Sequence, residues 1–121
     1  MTENKQYITQ AQEDGAVMIS EEVIATIAEQ ALEGVDGVIG LSSRPGSDIA
    51  ELIGKNWGRG LKINISTDDT LTVECNIVVA YGQSVATVAE AVQNAVTNAI
   101  ESMTGVKAAA VDVNVCGIVR Q

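Results

Sequence analysis

Two serines, Ser20 and Ser84, each follow a short apolar run and open a helix-length segment whose apolar residues recur three and four positions apart. After Ser20, Ile24, Ile27, Ala28, Ala31 and Leu32 fall on one stripe, and Glu21 and Glu22 sit in the first turn, where the helix dipole favours acids. After Ser84, Val85, Val88, Ala89, Val92, Val96, Ile100 and Met103 share one side, and Thr87, Glu90, Asn94, Thr97 and Glu101 the other. Gly34 and Gly105 stand where each stripe ends, and strand-like runs follow, "VDGVIGLS" and "VKAAAVDVNVCGIV". A helix with a single apolar stripe must lay it against another element, so the chain needs a sheet with one apolar face.

That sheet is written in the middle of the chain. In "LKINIST", Leu61, Ile63 and Ile65 alternate with Lys62, Asn64 and Ser66. In "LTVECNIVVAY", Leu71, Val73, Cys75, Ile77, Val79 and Tyr81 alternate with Thr72, Glu74 and Asn76. Asp68 and Asp69 turn between them, which predicts an antiparallel hairpin with one face buried. The last run places Val111, Val113 and Val115 on one face and Asp112, Asn114 and Cys116 on the other. The expected fold is α+β, a two-layer sandwich. Its mostly antiparallel sheet of about five strands carries two main helices on one face, and two β-α-β-like halves are joined by the hairpin. Lys62, Asn64, Thr72, Glu74, Asn76, Asp112 and Asn114 should then occupy a face left wet or free for a partner. With no Phe and 46% hydrophobic residues, the core must be built from Val, Ile, Leu and Ala.

Polar residues without periodicity at 1–14 read as a flexible N-terminal tail, leaving 15–121 as a single domain. Residues 43–60 combine a Pro-Gly break, a short helical stretch and a Gly-rich exit around Trp57.

Charge and composition exclude several functions. Sixteen acids against seven bases give a net charge of -9, which repels nucleic acid and anionic lipid surfaces. The stretch 44–62 is the exception: it holds four of the seven bases, and Arg44, Lys55, Trp57, Arg59 and Lys62 are the candidate partner surface. No segment approaches 18 uncharged apolar residues and the N-terminus lacks a signal-peptide core, so a cytoplasmic protein without membrane insertion is expected.

The chain has no His, which removes Ser-His, Cys-His and His-metal constellations, and its two cysteines, Cys75 and Cys116, lie far apart without Cys-x-x-Cys spacing. No catalytic, cofactor-binding or metal residues, and no cofactor, are expected. Cys75 lies on the apolar face of its strand and reads as a core residue. The Gly82-Gln83-Ser84 turn joins strand to helix where phosphates often bind, yet has one glycine and no nearby base, so Gly82 reads as the sharp bend and Ser84 as the cap. Gly34 to Gly37 lacks the bases of an RNA-clamping loop, and Gly54-Lys55-Asn56 lacks the remaining residues of a nucleotide-binding loop.

Three blocks in order, "GAVMISEEVIATIAEQALEGVDGVIG", "VVAYGQSVATVAEAVQNAV" and "MTGVKAAAVDVNVCGI", resemble the alkaline shock protein family, the Gls-type envelope stress response proteins of mainly Gram-positive bacteria. The likeness rests on Ile19, Ser20, Glu22, Val23, Ile24 and Ala25, on Tyr81-Gly82, and on Met103-Thr104-Gly105. It implies a non-enzymatic protein of envelope stress or homeostasis, self-associating as a homo-oligomer. It also implies peripheral placement at the inner face of the cell membrane through a small membrane-anchor protein. The alternative from the residues themselves is a small-ligand or cofactor-carrier domain, with ligand near Gly82 to Ser84 or at Cys116.

Overall fold

The computed structural model describes residues 4–41 and 60–120. Strands run at Asn4–Lys5 (β1), Tyr7–Gln12 (β2), Gly15–Ser20 (β3), Val38–Leu41 (β4), Leu61–Ser66 (β5), Leu71–Ala80 (β6) and Ala110–Val119 (β7). The helices are Glu21–Glu33 (α1) and Val85–Thr104 (α2). The fold is α+β, as the sequence predicts.

Five strands form the main sheet, with β6 at its centre. Along one side of β6, β7 pairs in parallel from Thr72↔Ala110 to Ala80↔Val119. The other side is shared: β5 pairs antiparallel over Leu71–Cys75, β4 over Ile77–Val79, and β1 lies beyond β5. The β6–β7 pair must be parallel because α2 carries the chain back across the sheet between them. β2 and β3 instead make a separate antiparallel hairpin, so β6-α2-β7 is a β-α-β unit within one sheet whereas β3-α1-β4 spans two.

Both helices form as their sequences dictate. Ser20 Oγ accepts the Val23 N–H and Ser84 Oγ the Thr87 N–H, each at 3.3 Å. Gly105 ends α2 in the left-handed region at φ 78°, its N–H donating to the Glu101 carbonyl at 2.8 Å. The stripes of α1 (Ile24, Ala25, Ile27, Ala28, Leu32) and α2 (Val88, Val92, Val96, Ile100) bury against Leu61, Ile63, Ile65, Leu71, Val73, Cys75, Ile77 and Val79. Each Val, Ile or Leu among them removed from water contributes about 1.5–3 kcal/mol. The ends of the α2 stripe, Val85 and Met103, are exposed: only the i, i+4 series from Val88 to Ile100 stays over the sheet.

Residues 4–12, expected as a tail, run instead as β1 and β2. Lys5 pairs with Ile65, Tyr7 with Ser20 and Gln12 with Gly15, and Ile8 is buried in the main core. The Thr9 N–H donates to Asp69 Oδ1 at 3.0 Å, and the Glu21 N–H to the Gln6 carbonyl at 2.8 Å, tying the hairpin to the rest. One buried isoleucine and two long-range bonds order a segment that shows no periodicity of its own.

Candidate interaction surfaces

The sheet face away from the helices carries the polar half of each alternation. Lys62, Asn64, Thr72 and Glu74 are half-buried on it, and Asp112, Asn114 and Cys116 are exposed. Lys62 stands opposite Glu74 and Asn64 opposite Thr72. Asn76, expected on this wet face, is instead fully buried. β7 flanks it on one side, the Gly60 carbonyl accepts its N–H at 2.9 Å on the other, and Asn114 Nδ2 donates to its Oδ1 at 2.9 Å. Asn76 Nδ2 has no partner, a polar group left unsatisfied in the interior.

Of the candidate partner residues, Lys62 lies on β5, whereas Arg44, Lys55, Trp57 and Arg59 lie outside the described residues. The Gly82-Gln83-Ser84 turn is exposed, with Gly82 at φ 99° and Ser84 spent on the α2 cap. Asp68 and Asp69 close the β5–β6 turn. Hydrogen bonds from the Ser66 hydroxyl and from Thr70 hold the Asp68 carboxyl below its ordinary value. Asp69 takes φ 65°, a conformation aspartate tolerates better than most residues.

The thiols differ sharply. Cys75 is buried under the helices, and burial, with smaller contributions from the charges of Asp112 and Glu74, pushes its thiol up to about 12. Its thiolate, the reactive form, is therefore suppressed at neutral pH. Cys116 is exposed beside the Asn114 carbonyl, Sγ to O 3.8 Å. A shallow depression of about 300 Å³ is lined by Gln6, Tyr7, Ser20, Glu21 and Glu22. Among the described residues, no three of His, Cys, Asp and Glu come together as a metal site would require, and no helix is long and apolar enough to cross a membrane.

What periodicity did not reveal is an apolar end to the sheet. Tyr81 and Met103 are the most exposed large hydrophobics, and Tyr81 sits where several others gather. Its N–H donates to the Val119 carbonyl at 2.8 Å, and Arg120 lies over its ring at 5.4 Å. Ile118 and Val119 end β7 there, Val85 begins α2, and Ile39 lies in β4 between the partners of Val79 and Val78. All five, Ile39, Tyr81, Val85, Ile118 and Val119, are exposed. The signal was present as apolar residues at element ends, which alternation alone assigns to the core.

Residues 9–120 match the sequence profile of the alkaline shock protein 23 family, described by a cell envelope-related function. The chain belongs to this family. Its Bacillus subtilis relative YqhY is 33% identical over 105 residues, covering 86% of this chain and 77% of that protein. Spy1614 of Streptococcus pyogenes is 31% identical over 108 residues, covering 87% and 88%, and YloU of Bacillus subtilis is 28% identical over 107 residues, covering 86% and 88%. All three are described as uncharacterized proteins. No solved structure matches the chain. The alkaline shock protein 23 family match thus begins inside β2 and ends just past β7, so nearly every described element belongs to what the family shares.

Proposed function

We propose that the chain serves its cell envelope-related role as a non-enzymatic interaction module. It works in the cytoplasm, associates with copies of itself, and docks on a small membrane-anchored protein at the inner face of the membrane. The observation that carries this reading is the exposed apolar end at Ile39, Tyr81, Val85, Ile118 and Val119 in a chain of net charge -9. Apolar and aromatic groups gathered at one end are the usual anchors of a protein contact, while the remaining acidic surface keeps lipid and nucleic acid away. The basic stretch with Arg44, Lys55, Trp57, Arg59 and Lys62 is the second part of the proposed contact, its positive charge and indole suiting an acidic partner segment.

The test is crosslinking in the native host followed by membrane fractionation, comparing the wild-type chain with Tyr81→Glu and with Arg44→Glu/Arg59→Glu. A small membrane protein should be captured by the wild type and lost from both variants; Tyr81 is exposed, and circular dichroism of each variant checks that it folds. Equal recovery by all three would refute the assignment of these surfaces.

A further inference from the structure

We propose that β7 is a self-pairing edge. Two copies of the chain join their β7 strands antiparallel about a two-fold axis at Asn114, making one continuous sheet. This rests on the self-association in the function proposed above, and adds where it occurs and in what register.

β7 is ten residues long, and among the described residues it pairs as a strand only with β6; of its carbonyls, Val111 accepts from Gln93 Nε2 at 3.0 Å and Asn114 lies 3.8 Å from Cys116 Sγ, a weak thiol contact that a strand partner can displace. Natural sheets blunt such an edge with lysine, proline or brevity. Here the strand "AVDVNVCGIV" has no lysine and no proline, and one charged side chain, Asp112. In a chain with sixteen acids, a second copy approaching this strand meets one carboxylate only. On the opposite side the sheet ends in β5, six residues long and covered by β1 at Ile65 and Ser66, and in β4, four residues long, so among the described residues no edge there matches β7 in length.

The register follows from which residues share a face. Val111, Val113 and Val115 pair with Val73, Cys75 and Ile77, on the helix face, and Asp112 and Asn114 pair with Glu74 and Asn76, on the open face. The register then shifts, leaving Cys116 without a partner, and Gly117, Ile118 and Val119 pair with Val78, Val79 and Ala80. Ile118 is thereby returned to the helix face and Val119 to the open face. In a two-fold antiparallel pair, residues directly opposite share a face, so the admissible registers are few.

Centring the axis on Asn114 sets Val113 against the second copy's Val115, Val111 against its Ile118, and Ala110 against its Val119. Ile118 and Val119, 55% and 43% exposed in the single chain, are then covered. Asn114 already donates one amide hydrogen to Asn76 Oδ1, and across the proposed axis its second amide hydrogen and its Oδ1 would pair reciprocally with the Oδ1 and amide hydrogen of the other Asn114. Asp112 falls opposite Gly117, about 13 Å from the other Asp112 at the strand rise, whereas a parallel pairing would stack the two carboxylates.

Sedimentation equilibrium of the full chain at physiological salt tests this with Val119→Lys, Ala110→Glu and the two combined; Ile118→Lys serves as a further variant because that side chain is exposed in the single chain. Circular dichroism confirms that each folds. The wild type should be a dimer. Each single change should raise the dimer dissociation constant about tenfold or more, because each acts twice across the axis. The combination should recover most of the loss, since Lys at 119 then faces Glu at 110 of the other copy. A wild-type dimer indifferent to all the variants overturns the β7 edge and leaves self-association standing. Weakening without recovery overturns the register and with it the proposal. A wild type that stays monomeric at every concentration overturns self-association itself.

Discussion

Cys75 makes the stability of this fold sensitive to alkali. The folded-state thiol is pushed from 9.0 up to about 12, chiefly because its thiolate would lie under the helices without solvent. Below pH 9 the thiol is protonated in both the folded and the unfolded chain, and it costs nothing. Above that the unfolded chain releases its proton while the folded chain holds it, so stability falls as pH rises, through the window from 9 to about 12. The slope is about 1.4 kcal/mol per pH unit, so roughly 2 kcal/mol is lost by about pH 10.5. Urea melts at a series of pH values, run in reductant for the wild type and for Cys75→Ala, isolate the effect. Whatever is common to the two proteins cancels in the difference. The variant should differ from the wild type by a constant below pH 9 and gain on it steadily above. Curves that stay parallel to pH 11 would refute the assignment of Cys75 to a dry core.

Two further substitutions probe how the elements are held. Gly37→Ala should destabilise the chain by roughly 2–4 kcal/mol in a urea melt, because Gly37 sits at φ 95° and an added Cβ would meet Val88 Cγ2 at 2.7 Å. Asp69→Ala should cost about 1–2 kcal/mol and speed hydrogen exchange at the Thr9 amide, whose acceptor it removes, while Asp69→Asn, which keeps an acceptor and tolerates the left-handed turn, should recover most of both.

The elements legible in the sequence are those whose determinants are local. Ser20 and Ser84 as caps, Gly105 as the end of α2, and the alternation of Leu61–Ser66 and Leu71–Cys75 each act within a few residues, and each appears in the structure. The helix between β6 and β7 also fixes their parallel pairing, because no short turn can reverse the chain across its length. What was illegible depends on distant partners. Tyr7–Gln12 becomes a strand through pairing with β3 and a bond from Thr9 to a turn 60 residues away, neither of which its own polar composition announces. Asn76 repeats the pattern of Thr72 and Glu74. It alone is buried, and its Oδ1 takes a hydrogen bond from Asn114 Nδ2, a partner 38 residues away. The candidate surface was half visible: the basic stretch stands out by charge, while the apolar end exists only once the ends of β6 and β7 meet the starts of β4 and α2.

The distribution of charge decides how these surfaces can be used together. Glu13 and Asp14 mark the tip of the β2–β3 hairpin, Glu21, Glu22, Glu29 and Glu33 line α1, and Glu90 and Glu101 are exposed on α2. An acidic copy approaching any of these meets repulsion. At the β7 edge, with Asp112 alone, and at the apolar end beside it, approach costs little. Contact between copies through backbone bonds and apolar cover opposes the repulsion of two chains of charge -9, so salt strengthens it. Contact of the basic stretch at 44–62 with an acidic partner is an attraction between unlike charges, so salt weakens it. The two contacts respond to ionic strength with opposite sign. A dimer formed along β7 would carry Ile39, Tyr81 and Val85 twice in one continuous sheet, which doubles the anchors offered to a membrane-held partner and favours docking of the assembled form over the single chain.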